Sequence, residues 1–192
     1  MQSRWVNNLY ISAVASAGLV MSTAAFATDW HTDPVQSSLT FTAIQQRAEF
    51  QGEFETFSAD IHFDPTNPET GRIKATIKLA SVETQNDERD DYLVLAEWLD
   101  VPQWPDSTYQ ATRIEADGDD WIATGKLTLK GVTLPVELRF SFTEDGAGAT
   151  FVGTASLKRM DFNVGTGGWM DTRWVGDPVK IMVNLRLTRS NN

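Results

Sequence analysis

The feature that most constrains the fold is a strict alternation of apolar and polar residues between positions 125 and 142. Leu127 and Leu129 alternate with polar residues, and beyond Lys130-Gly131 an apolar residue returns at every second position as far as Phe142. A period of two is typical of a β-strand with one buried face. Two such segments joined by a Gly-containing turn predict a β-hairpin, and its register predicts which residues face inward.

The same period recurs along most of the chain. It is found in segments 39–43, 59–63, 73–79, 109–112, 121–124, 151–157 and 179–187, which are separated mainly by short turns. Phe54 and Phe57 are out of phase by one residue, which predicts a bulge or bend between them. Acidic residues followed by apolar residues at three-to-four spacing predict one short α-helix near residues 86–99. About eight strands at hairpin spacing predict a single all-β domain, either an antiparallel barrel or a sandwich.

The first 27 residues have the composition of a secretory signal peptide. Arg4 precedes an apolar segment of small residues, and Ala25-Phe26-Ala27 resembles a cleavage site. A membrane anchor is the alternative, but the apolar segment is interrupted by Ser and Thr and is shorter than the roughly 20 residues of a span. We therefore expect export and cleavage after Ala27, with residues 28–192 as the folded domain. The absence of Cys means that this exported domain is held together without disulfides.

Charge and residue usage exclude several classes of function. The formal net charge is −10 and no basic run is present, which argues against nucleic-acid binding and against docking to anionic membranes. His31 and His62 do not have the spacing of metal ligands, so no metal site is expected. No nucleophile elbow or phosphate-binding loop is found, and an enzyme is not expected.

The inward face combines large apolar residues with several Gly and Ala residues, among them Ala123, Gly125 and Gly153. An eight-stranded barrel is just wide enough either to be filled by side chains or to hold one ligand. The pattern leaves both possibilities open. No inward position on the regular strands carries a charge, so a ligand in such a cavity would be long and apolar, with its polar head at the mouth.

Three further residues are candidates for the mouth of a barrel. Arg89 lies in the cluster Glu88-Arg89-Asp90-Asp91, which is either an ordinary helix N-terminus or the position of a cation that holds a head group. Trp169 and Trp174 follow a Gly-rich segment and either cover the mouth as an apolar lid or pack beneath the loop.

Several motifs in their order resemble the YceI family of exported bacterial lipid-binding proteins. These are residues 52–57, Ser81-Val82-Glu83-Thr84 followed by Arg89-Asp90, Trp98-Leu99-Asp100, Trp104-Pro105, residues 125–136 and Arg159-x-Asp161-Phe162. Two departures are Asn163, where the family often has Gly, and the 167–174 loop. That loop resembles only a subset, which includes relatives that accompany cytochrome b561-type membrane proteins.

The resemblance implies a lipocalin-like eight-stranded antiparallel barrel with a long apolar tunnel. It also implies a periplasmic binder or carrier of an isoprenoid quinone or prenyl pyrophosphate, with no catalysis and no covalent cofactor. The residues expected to line the tunnel are Phe41, Phe54, Ile61, Ile77, Leu79, Leu127, Val136, Leu138, Phe140, Phe151, Val183 and Leu185. The alternative hypothesis is an accessory protein for a membrane redox partner, with a filled core and with Trp169 and Trp174 exposed. The sequence does not predict the oligomeric state.

Overall fold

The computed structural model describes residues 28–146 and 148–190 of the chain. The predicted signal peptide lies outside these residues. The strands are β1 Thr28–Thr32, β2 Ser38–Gln45, β3 Ala48–Phe54, β4 Phe57–Phe63, β5 Arg72–Lys78, β6 Val82–Glu83, β7 Asp106–Asp117, β8 Asp120–Leu129, β9 Val132–Glu144, β10 Gly148–Lys158 and β11 Pro178–Arg189, and the α-helix in this part of the chain is α1, Asp87–Leu93. Short 3-10 turns occupy Pro68–Thr70, Leu79–Ser81, Arg159–Phe162 and Gly167–Met170.

The strand segments form a closed antiparallel barrel of eight long strands. Three of the long strands are each interrupted by a bend, so that β1 continues into β2, β3 into β4, and β5 into β6. Each long strand pairs with the next one along the chain, and β11 pairs with both β1 and β2 to close the ring. The all-β prediction is confirmed, and closure selects the barrel over the sandwich.

The hairpin that set the register is formed by β8 and β9. Leu129 pairs with Val132, and the two residues between them, Lys130 and Gly131, both have positive φ (48° and 74°). Two consecutive residues of positive φ are the signature of the tight turn whose twist matches that of the flanking strands. The predicted hairpin is therefore confirmed.

The predicted irregularity between Phe54 and Phe57 is also present. β3 ends at Phe54 and β4 begins at Phe57, and the backbone N–H groups of Glu55 and Thr56 donate to the carbonyl and hydroxyl oxygens of Ser81. The bend restores the phase, so both phenylalanine rings reach the interior.

Helix α1 is shorter than the sequence indicates. The Asn86 side chain accepts a hydrogen bond from the Arg89 N–H (2.9 Å), and acidic residues fill the first turn, where the helix dipole favours them. Beyond Leu93 the chain folds into successive turns instead of continuing to residue 99. These turns bury Trp98 and Leu99 against the end of the barrel, which a straight helix does not achieve.

The barrel interior is filled at one end by a cluster of aromatic rings, here called the aromatic plug. Its members are Trp30, Phe63, Trp121, Phe140 and Phe142, and their neighbouring ring centroids lie 5.1 to 5.8 Å apart. At the other end, side chains from the 94–104 and 159–176 segments form a second apolar cluster. Between residues 28 and 190, with position 147 left aside, no helix has the length and apolar character needed to cross a membrane.

Candidate functional site

A cavity of about 500 Å³ lies between the aromatic plug and the segments that cover the opposite end of the barrel. This volume is within the range of small-molecule sites, roughly 300–1,000 Å³. Its floor is formed by residues such as Phe151, whose ring stacks on Phe140 of the plug at a centroid distance of 4.5 Å. The cavity is therefore blind at the plug, and its walls are formed mainly by aliphatic and aromatic side chains.

Eleven of the twelve residues expected on the tunnel wall line this cavity. They are Phe41, Phe54, Ile61, Ile77, Leu79, Leu127, Val136, Leu138, Phe151, Val183 and Leu185. Phe140 does not: it is 1% exposed and stacks between Phe151 and Trp121 inside the plug. The prediction for Phe140 was wrong because strand parity determines which face a residue occupies but not how deep it lies along the barrel axis.

The Gly and Ala residues of the inward face do not all leave room for a ligand. A Cβ added at Gly125 would lie 2.6 Å from the ring of Tyr109, so the space at Gly125 is already occupied. The Tyr109 hydroxyl lies within hydrogen-bonding distance of the carbonyl oxygens of Ala123 (3.0 Å) and Val136 (3.2 Å). Burial, with a smaller contribution from Glu137, raises the pKa of this phenol, which therefore stays protonated and donates. Sequence parity did not single out Tyr109 as a wall residue.

The opening of the cavity lies beside α1. The lining residues that are also exposed to solvent, Asn86, Glu88 and Tyr92, all belong to the helix or its cap, and half-buried Gln45 and Arg89 adjoin them. Gln45 is the last residue of β2, which places the mouth between α1 and the tip of the β2–β3 hairpin. Charged and amide groups are thus concentrated at the mouth, while the strand walls are apolar.

Arg89 is held at the mouth by neutral partners. Its Nε donates to the Thr84 hydroxyl (2.7 Å), and its Nη atoms donate to the Thr84 carbonyl (2.9 Å) and to Gln45 Oε1 (3.1 Å). The guanidinium carbon lies 4.0 Å from the centroid of the Phe50 ring. Among the residues that the structure describes, no carboxylate forms an ion pair with it. Because a guanidinium has five N–H donors, two remain for another acceptor.

Arg159 also borders the cavity, but its donors are all used. It is 5% exposed, and each of its five N–H groups is engaged by a backbone carbonyl. The acceptors are the carbonyl oxygens of Gly176 (3.0 Å), Val164 (2.7 Å), Gly165 (3.0 Å), Trp169 (2.6 Å) and Val175 (2.9 Å). Burial lowers the pKa of Arg159, partly offset by Asp177. Its function is to fold the 160–176 segment over the end of the barrel, a function that the Arg159-x-Asp161-Phe162 motif does not show by itself.

The turn of the β8–β9 hairpin is fastened to the same covering segments. Lys130 Nζ donates to the carbonyl oxygens of Ala96 (2.7 Å) and Asn163 (2.8 Å), one from each segment. Asn163 has φ of 56°, a left-handed conformation that Gly and Asn adopt most readily. Asn163 therefore suits this backbone, as the Gly expected from the family resemblance would.

The two tryptophans predicted at the mouth occupy different environments. Trp169 lines the cavity, and its ring packs against Tyr92 and Trp98 at centroid distances of 6.0 and 5.4 Å. Trp174 is 56% exposed and does not line the cavity. The two tryptophans therefore do not form a lid together. The Trp174 carbonyl accepts from the Gln46 N–H (2.8 Å), which places Trp174 beside the tip of the β2–β3 hairpin at the mouth, outside the cavity wall.

Within residues 28–146 and 148–190, no group of three or more His, Cys, Asp or Glu residues is arranged to hold a metal ion.

A closed barrel with a blind apolar cavity and polar groups at its mouth has the architecture of proteins that hold one small apolar molecule. The family model of the YceI-like domain matches residues 30–187, and the chain belongs to this family.

Curated relatives support the assignment. A UPF0312 protein of Pectobacterium atrosepticum is 40% identical over 123 residues, and the protein YceI of Escherichia coli is 36% identical over 121 residues. Each alignment covers 60% of this chain and 63% of the relative, so the match spans less than two thirds of those proteins.

Solved structures have the same fold. BcnA of Burkholderia cenocepacia superposes with a TM-score of 0.78 at 34% identity, over 81% of this chain and 98% of that one. A polyisoprenoid-binding domain from Saccharophagus degradans superposes with a TM-score of 0.67 over 84% of this chain and 98% of that one. Its identity is 16%, which shows a common fold alone.

Proposed function

We propose that this protein binds a long apolar isoprenoid lipid, of the isoprenoid quinone or prenyl pyrophosphate type, and carries it in the periplasm without catalysis. The observation that supports this most directly is the distribution of polarity in the cavity. Its walls and floor are apolar and end blindly at the aromatic plug, whereas Gln45, Glu88 and Arg89 stand at its mouth. An apolar chain with one polar end matches this distribution, with the chain inserted first.

The volume sets the scale of the interaction. At roughly 30 Å³ per carbon group, similar to a water molecule in the liquid, 500 Å³ accommodates about three five-carbon isoprene units. Burial at ~0.8 kcal/mol per carbon group supplies on the order of 12 kcal/mol before the costs of association and chain ordering are subtracted. The apolar chain therefore supplies most of the affinity, and contacts to the head group add to it. A longer chain extends through the mouth.

Arg89 is the proposed contact for the head group. Its two unused N–H groups and its charge, which no carboxylate neutralises in the described part of the chain, suit a carbonyl or phosphate oxygen. Thr84, Gln45 and Phe50 hold the guanidinium in place before a ligand arrives, which reduces the entropic cost of that contact. The Saccharophagus degradans domain of the same fold, described as polyisoprenoid-binding, adds support for an isoprenoid ligand.

The accessory-protein hypothesis depends on a filled interior, and the cavity counts against it. Its one favourable feature is the exposure of Trp174, which a membrane redox partner would cover. That partner remains a prediction.

The test is extraction of the purified protein with organic solvent, followed by mass spectrometry, and titration of the delipidated protein with a farnesyl-chain quinone. We expect a stoichiometric prenyl lipid and saturable binding. Ala155→Phe, which places a ring inside the cavity, should abolish binding, whereas Val152→Phe, on the outer face of the same strand, should preserve it. An empty protein that also refuses the quinone contradicts the proposal, as does equal binding by both variants.

A further inference from the structure

Exposed apolar side chains border the mouth of the cavity on two segments. Tyr92 and Leu95 lie on α1 and the turn after it, and Met170 and Trp174 lie in the loop that Arg159 organises; they are 45%, 46%, 58% and 56% exposed. We call these four residues the mouth rim. Large apolar side chains that are grouped and exposed usually mark an interaction surface.

Contacts place the two segments that carry the rim at a single opening. The Tyr92 ring packs edge-on against Trp169, which itself lines the cavity, and the Leu95 N–H donates to the Tyr92 carbonyl (3.1 Å). On the other side, Val175 forms a β-bridge with Gln45, which is also part of the cavity lining. The rim is therefore continuous with the entrance of the cavity and does not form a separate patch.

The chemistry of the rim suits the surface of a lipid bilayer. Trp and Tyr side chains are enriched at the boundary between head groups and acyl chains, and a few apolar side chains inserted there suffice for reversible binding. A specific protein interface needs about 800 Å² from each partner, far more than four partly exposed side chains supply.

The charges around the rim restrict the kind of bilayer. Asp87, Glu88 and Asp91 on α1 and Glu97 after it lie beside the apolar side chains, and the whole chain carries a net charge of −10. Of the nearby cations, Arg173 is paired with Asp171, and Arg89 and Arg47 at the mouth are fewer than these four acidic residues. Anionic lipids are therefore repelled, so the surface is complementary to a zwitterionic bilayer, and binding should depend little on salt.

We propose that the mouth rim inserts into a zwitterionic bilayer, so that an apolar ligand passes between membrane and cavity without crossing water. This inference rests on the proposed function, because it concerns how the same cavity is loaded. Passage through water would expose the apolar surface of the chain and oppose transfer, and apposition of the mouth to the membrane removes that barrier.

The chain offers a matched pair of variants to test this surface. Met170 and Met182 are similarly exposed (58% and 54%), but Met182 lies on the outer face of β11, away from the mouth. In flotation assays with phosphatidylcholine vesicles, Met170→Glu should lower the bound fraction about tenfold, whereas Met182→Glu should leave it unchanged. Replacing a third of the lipid with phosphatidylglycerol should weaken binding by the wild-type protein.

Transfer of a farnesyl-chain quinone from these vesicles should slow in Met170→Glu, while its binding in vesicle-free buffer stays at the wild-type level. If the wild-type protein binds the quinone in buffer but does not float with phosphatidylcholine vesicles, docking is refuted and the proposed function stands. Equal vesicle binding by both variants, or binding that requires phosphatidylglycerol, also refutes docking. Vesicle binding without any binding of the quinone overturns the proposed function and, with it, this route of loading.

Discussion

Replacing Arg159 with Met should disorganise the 160–176 segment more than any other single change there. Met retains much of the length and apolar volume of the side chain but supplies no donor. The five carbonyl groups that Arg159 now satisfies, including those of Trp169 and Val175, would each lose their partner. Because the segment covers the end of the barrel, the loss affects both stability and the shape of the mouth.

The magnitude follows from those five hydrogen bonds. At a net value of about 1 kcal/mol each, their loss sums to about 5 kcal/mol, reduced because a buried cation no longer has to be desolvated and because water reaches some carbonyls. We expect a decrease of about 3–5 kcal/mol in the free energy of unfolding. For a domain of this size that corresponds to a fall in Tm of about 6–20 °C.

Urea denaturation followed by tryptophan fluorescence measures the change, and hydrogen exchange locates it. The control is Arg173→Met in the same segment: Arg173 is exposed and, among the described residues, its side chain bonds to Asp171, so its loss should leave stability nearly unchanged. In the Arg159→Met variant, amide hydrogen exchange should accelerate more at residues 160–176 than in β8 or β9. Equal stability of the two variants would refute the idea that Arg159 holds the segment together.

Two further outcomes are expected. Gly125→Ala should destabilise the protein by about 1–3 kcal/mol in urea unfolding, because its Cβ would lie 2.6 Å from both Tyr109 and a backbone oxygen, whereas Gly168→Ala, which meets open space, should change stability by less than about 0.5 kcal/mol. Equal effects would contradict this packing. The Asp171 carboxyl should titrate by NMR with a pKa of about 2, because Arg173 and its backbone N–H donate to it, and Arg173→Met should return the midpoint towards 3.8. Since the folded-state pKa is depressed, any stabilisation from this pair is present above pH 3.8 and is lost as the pH falls through about 2.

Arg89 and Arg159 show how the same residue type serves two purposes at one cavity. Arg159 uses all five donors on the protein and is a structural residue. Arg89 uses three and keeps two, which makes it the better candidate for contact with a ligand. Both lie outside the strands, so the apolar alternation of the strands predicted neither position.

The amino-acid sequence by itself determined eight of the strand segments, their inward faces and the hairpin at residues 130–131, but not β1, β3 or β6. A local period of two and a local turn preference are enough for that, because each depends on residues adjacent in the chain. Leu127, Val136 and Leu138 were therefore correctly placed on the wall of the cavity. The family motifs pointed to a closed barrel, which parity alone did not distinguish from a sandwich.

The tertiary structure decided what depends on depth and on contacts between distant segments. Phe140 and Phe151 share one inward face, yet one belongs to the plug and the other to the floor, because their height is set by barrel closure. The space beside Gly125 is filled by Tyr109 from a different strand. Residues 94–104 leave the helical path because burying Trp98 and Leu99 outweighs the weak preference of a short segment to remain helical. These features depend on packing between elements that are distant in the chain, and the sequence pattern of a single element does not report such packing.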